Sequence, residues 1–185
     1  MRLDKLITVA AVLVTFVTTG AFAQSEKEKK QAEVRTKAEQ TLADFYKAEP
    51  KLKAEVGKAP GYAVFTTYGL SFILGGAGGK GLVHDNKTKK NTYMDLAQAS
   101  AGVQIGAQEA RYLFIFKDAK ALQSFIDSGW EAGAEGGAGA KAGKTGGGGT
   151  GGQFTGGTVY SLTKTGFQAG GAVAGTKVWK DKELN

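Results

Sequence analysis

Gly61-Tyr62-Ala63-Val64-Phe65, followed by Gly69-Leu70-Ser71-Phe72-Ile73-Leu74-Gly75-Gly76-Ala77-Gly78-Gly79-Lys80-Gly81-Leu82-Val83-His84, decides the fold class. These are short apolar runs bounded by glycine, without the three- and four-residue apolar spacing of an amphipathic helix, so they read as β-strands. The same criterion gives further strands at Thr92–Leu96, Ala101–Gly106, Arg111–Phe116, Thr158–Leu162 and Gly166–Trp179. The polar stretch Asn86–Asn91 reads as a hairpin loop, and Gly76–Gly81 as a glycine-rich bend between the strands Leu70–Leu74 and Gly81–His84. One helix interrupts the series, with Asp118 as its cap, Leu122, Phe125 and Ile126 as its apolar stripe, and Gly129 as its end.

Upstream the pattern is helical. Val34, Ala38, Leu42 and Phe45 share one face of a helix over Ser25–Ala48, with Ser25 as N-cap, Glu28 three positions on, and Pro50 as the stop. A second short turn over Pro50–Val56 carries Leu52 and Val56. Together these give residues 24–58 as a helical segment and 59–185 as a glycine-rich β domain. The expected fold is α+β, with a mainly antiparallel, barrel- or sandwich-like β core. The N-terminal amphipathic helix and one further helix pack outside it.

Residues Met1–Ala23 have the form of a signal peptide: Arg2 and Lys5, the apolar run Leu6–Val17, then the small-x-small site Ala21-Phe22-Ala23. Cleavage there leaves 162 residues, enough for one domain with a core, in the periplasm or outside the cell. The leader holds two basic residues against Asp4, so the net charge falls from +7 to +6. That charge suits an anionic surface, and the exported location argues against nucleic acid as the partner. The chain has no cysteine, so no disulfide supports it and stability rests on burial and backbone pairing. Gly129–Gly157 holds 14 glycines in 29 residues, and within it Lys144–Gly152 reads as a flexible loop.

Catalytic and cofactor motifs fail on their chemistry. Gly76-Ala77-Gly78-Gly79-Lys80-Gly81 has the spacing G-x-G-x-x-G, but dinucleotide binding needs a helix N-terminus after the turn, and Leu82-Val83 continues as strand. A P-loop fails because Leu74 stands where its first glycine belongs and Gly81 where the Ser/Thr belongs. His84 is the only histidine, and without cysteine a transition-metal site has too few ligands. The expectation is a non-enzymatic protein without cofactor or metal.

The ordered set of motifs resembles the SYLF domain family. It comprises Gly61–Phe65, Gly69–Gly81, Gly102-Val103-Gln104-Ile105-Gly106-Ala107-Gln108, Leu113-Phe114-Ile115-Phe116, the helix Ala119–Ser128 and Gly166-Phe167-Gln168-Ala169-Gly170-Gly171. Where that family carries Trp-Ser-x-Pro after the hairpin, this chain has Thr92-Tyr93-Met94-Asp95. The resemblance implies a glycine-rich α+β domain that binds lipid, phosphatidylinositol lipids in particular, with an N-terminal helix able to touch the membrane. Actin binding, known in eukaryotic members, is not carried over to an exported protein.

The candidate lipid-binding residues are Lys27, Lys30, Lys37 and Arg35 beside the apolar stripe, and Lys87, Lys89 and Lys90 on the hairpin loop. The helix has a net charge of only +1 between Gln24 and Ala48, so its stripe either lies in a membrane interface or packs on the β domain, and packing is preferred. If the helix is the contact, reversing Lys27, Lys30 and Lys37 weakens vesicle binding more than reversing the loop lysines. An anionic phospholipid surface is the expected partner. The alternative is a structural or stress-linked envelope protein without a lipid ligand.

Overall fold

The computed structural model describes residues 18–70, 76–99, 109–131, 152–163, 166–169 and 176–185. The expected leader up to residue 17, the strand Ala101–Gly106 and nearly all of the tract Lys144–Gly152 lie outside the described residues. In chain order the elements are α1 (Thr18–Ala48), α2 (Leu52–Lys58), β1 (Gly61–Leu70), β2 (Gly76–Asp85), β3 (Asn91–Ala99), β4 (Glu109–Phe116), α3 (Ala119–Ser128), β5 (Trp130–Glu131), β6 (Gly152–Phe154), β7 (Gly157–Thr163), β8 (Gly166–Ala169) and β9 (Thr176–Lys180).

The strands form one antiparallel sheet in the order β5-β9-β3-β2-β1-β4-β7-β6, with β8 also paired to β7. A flat sheet would hold β5 and β6 roughly 34 Å apart, seven steps of ~4.8 Å. Instead the rings of Trp130 on β5 and Phe154 on β6 lie 5.9 Å apart. The sheet therefore curls until its two edges share one aromatic cluster, which accounts for the barrel-like character.

Alternation along each strand supplies two apolar faces. Inward lie Ala63 and Phe65 of β1, Val83 of β2, Met94 of β3, and Tyr112, Phe114 and Phe116 of β4. Helix α3 closes this interior with Leu122 and Phe125, and Asp118 caps it as expected, its carboxylate accepting from the Ala121 amide at 2.7 Å. Gly129 ends it with φ 72°, a left-handed conformation that glycine adopts without a Cβ penalty. Outward lie Val64, Leu82, Tyr93, Leu113 and Ile115, covered by Val34, Ala38 and Phe45 of α1 and by Leu52 and Val56 of α2. The stripe on α1 is thus spent on the sheet, with Phe45 fully buried, a contribution of about 1.5–3 kcal/mol from that side chain alone. Thr41 and Thr66 share a buried hydroxyl hydrogen bond of 2.9 Å beneath the helix, and Arg111 of β4 pairs with Asp44 at 2.6 Å.

Two expectations are corrected. Gly76–Gly81 is not a bend but the first half of β2, paired with β1 on one side and β3 on the other. Its glycines are required by close approach: an added Cβ would meet the Thr66 carbonyl oxygen at 2.4 Å from Gly79 and the Val64 carbonyl oxygen at 2.1 Å from Gly81. In the uncleaved chain Ser25 is not an N-cap, because α1 runs unbroken from Thr18 and places Ser25 in the helix interior, where its amide already has a helical partner.

Candidate functional site

Where α1 crosses β2 and β3, the outward positions are Gly78 and Ala97. The sheet presents little side chain there, and a cavity of about 660 Å³ remains between helix and strands. Val34 and Ala38 of α1, Val64 of β1 and Leu184 near the end of the chain give it apolar walls. Lys30, Glu33, Lys37 and Glu183 line it with charge, and Trp179, 40% exposed, is the exposed large apolar side chain among the described residues.

One wall is built by the segment after β9. Asp181 is buried and accepts from the amides of Glu183 at 2.8 Å and Leu184 at 3.1 Å. Lys80 bridges Asp181 and Asp95, the latter at 2.7 Å. Burial opposes the charge on Asp181, but Lys80 and the two amides outweigh it and hold its carboxyl below the usual range. Burial likewise would lower the Lys80 ammonium, and the two carboxylates raise it instead. The segment then clasps α1: Gln31 Nε2 donates to the Leu184 carbonyl at 2.7 Å, and Lys27 Nζ to the Asn185 carbonyl at 2.8 Å. Asn185 also exchanges hydrogen bonds with the backbone of Tyr93, at 2.9 and 2.7 Å.

The residues expected from sequence therefore separate into three roles. Lys27 and Arg35 hold the helix down, Arg35 by donating to the Tyr93 hydroxyl at 2.8 Å. Lys30 and Lys37 line the cavity. Lys87, Lys89 and Lys90 are exposed on the β2–β3 turn, near Asp85, which lies seven residues along β2 from Gly78, roughly 23 Å at the rise of a strand. The turn is shaped by Asp85, whose carboxylate accepts from the Lys87 and Thr88 amides at 2.8 and 2.9 Å, and those bonds, Thr88's foremost, hold its pKa down. Asn86 then ties the turn to α2, donating to the carbonyls of Val56 at 2.7 Å and Ala59 at 2.8 Å. That contact brings exposed Lys58 to the same end as the three turn lysines, a neighbour that sequence spacing gave no means of finding. Gly76–Gly81 continues as strand to Asp85, so no helix N-terminus follows it. His84 donates one hydrogen bond from Nδ1 to Asn91 Oδ1 at 2.7 Å and lies against the Tyr62 ring.

Residues 97–185 match the family model described as Las17-binding protein actin regulator. Beta cell expansion factor A of Aeromonas veronii is 31% identical over 152 residues, which cover 82% of this chain and 57% of that protein. The chain thus spans a little over half the length of the curated relative it matches. The family is one of binding modules of lipid-binding type and is not a known enzyme family. With the motif order and both matches in agreement, residues 97–185 carry the domain of the SYLF family.

Proposed function

We propose that the protein is a non-enzymatic module that binds anionic phospholipid at a membrane surface, after export to the periplasm or beyond. The observation that carries this reading is the basic end of the molecule, where exposed Lys58, Lys87, Lys89 and Lys90 stand near Asp85, whose carboxylate is already engaged by backbone amides. Each basic residue near an anionic surface contributes ~1 kcal/mol, so four of them give reversible, peripheral attachment. None of the four lies in a buried pocket, which favours attraction to surface charge over selection of one phosphoinositide head group. The helix stripe is occupied by the sheet, and Lys27 and Arg35 are occupied in docking α1, so the weight of the contact moves from the helix to the turn.

Export is compatible with this architecture. Among the described residues, the hydrogen bonds that dock α1 begin at Lys27, and cleavage after Ala23 leaves these in place. The mass of the exported protein should correspond to a chain starting at Gln24, and a mass retaining Leu6–Val17 would contradict the export reading. Membrane binding is tested by co-sedimentation. The protein should pellet with vesicles containing phosphatidylglycerol and not with pure phosphatidylcholine. Salt at 1 M, which shortens screening to ~3 Å, should release it. Equal pelleting with both vesicle types, or with neither, favours the structural-protein alternative.

A further inference from the structure

The cavity under α1 differs in chemistry from the lysine-bearing turn. Gly78 faces open space: a Cβ placed there meets no heavy atom within 4 Å, while its neighbours Gly79 and Gly81 are crowded by the β1 backbone. The cavity therefore follows from one missing side chain on β2 and a methyl-sized one at Ala97, spanned by a helix that is anchored on both sides of the gap. Its anchors are the Asn185 and Leu184 carbonyls at the N-terminal side and Thr66 and Arg111 further along. Because the helix is held at both ends, it does not sink to fill the space.

The walls are apolar and the mouth is mixed. Lys30 and Lys37 stand there with Glu33 and Glu183, while Lys80 is matched by Asp95 and Asp181. Such a mouth does not select by net charge. Trp179 beside it is apolar in body and polar at its indole N–H, the kind of side chain that sits where a hydrocarbon region meets water. The volume, about 660 Å³, falls in the range of roughly 300–1,000 Å³ occupied by small-molecule sites.

We propose that this cavity takes the acyl chain of one lipid molecule and leaves its head group at the mouth, irrespective of head-group charge. The proposal takes its ligand class from the lipid-binding reading but does not use the turn lysines, so the two stand or fall separately.

The test titrates the whole protein with two monomeric probes, palmitoyl lysophosphatidylcholine and palmitoyl lysophosphatidylglycerol. Native mass spectrometry and Trp179 fluorescence are read in the background of Trp130→Phe. One lipid per chain is expected, with affinities for the two probes within a few-fold of each other and little change in 1 M salt. Gly78→Leu, which grows into the empty space, should weaken both probes about tenfold or more while the melting temperature holds. Ala97→Leu fills the same cavity from β3 and serves as the second variant should Gly78→Leu fail to fold. No one-to-one complex, or one that both filled variants still form, overturns the proposal. So does binding confined to the anionic probe and removed by salt. Vesicle pelleting without lysolipid uptake leaves the surface reading standing and removes the cavity site. Lysolipid uptake without vesicle pelleting does the reverse.

Discussion

Three glycines within four residues of β2 serve two purposes, and substitution tells them apart. At Gly81 a Cβ would stand 2.1 Å from the Val64 carbonyl oxygen, so alanine forces the paired backbones to separate. Gly81→Ala should cost about 1–3 kcal/mol, the range for overpacking a well-filled site. At Gly78 there is room, and Gly78→Ala should be neutral or stabilising by up to about 1 kcal/mol through a less flexible unfolded chain. Urea denaturation of the two variants checks the pair, and equal costs would refute the close-approach account. These residues also explain why the segment has the sequence signature of a bend. A strand is recognised from alternating side chains, and Gly76–Gly81 offers none on either face except Ala77 and Lys80, so its pairing with β1 and β3 leaves no mark in the sequence.

At the scale of elements, α3 was fully legible, because its cap, its stripe and its terminating glycine are all local signals. The stripe of α1 was legible too, and its burial settles in favour of packing on the sheet. The clasp formed by residues 181–185 was not legible. It depends on Lys80 meeting Asp181 and Tyr93 meeting Asn185, contacts separated by 101 and 92 residues, and no sequence period reports them. Its pH dependence follows from the two shifts. The Asp181 carboxyl is lowered, so its contribution is present above the unfolded value of ~3.9 and is lost as pH falls through the folded one. The Lys80 ammonium is raised, so its contribution is present below ~10.4 and is lost as pH rises through its folded value. Asp181→Asn should therefore lower the melting temperature at pH 7, and the difference from the parent protein should shrink once pH drops below the folded value of Asp181. A difference as large at pH 2 as at pH 7 would show that the clasp is not held by the charge.

At the scale of the molecule, curling brings together what the chain keeps apart. Trp130 and Phe154 close the inner core from opposite edges of the sheet, and the inner and outer faces each carry their own cluster. Alternation in the sequence implied an antiparallel β core, but the strand order and the meeting of the edges are long-range consequences that alternation does not encode. The cavity at Gly78–Gly81 and the basic turn beyond Asp85 lie at different places along β2, which gives the two proposed lipid contacts independent chemistry. Lys87, Lys89 and Lys90 are close together in the sequence and their neighbour Lys58 is not, because Asn86 joins α2 to the turn only in the folded state.

The central claim, attachment to anionic membrane through the turn, is tested most directly by partition onto phosphatidylglycerol-containing vesicles at low salt. The parent protein is compared with Lys87→Glu/Lys89→Glu/Lys90→Glu and, as the contrasting pair, with Lys30→Glu/Lys37→Glu. At ~1 kcal/mol for each lysine, loss of three contacts should reduce partition of the turn variant more than about hundredfold. The helix pair should change it far less. A turn variant that partitions like the parent, with the helix pair released instead, would contradict the account and return the membrane contact to α1.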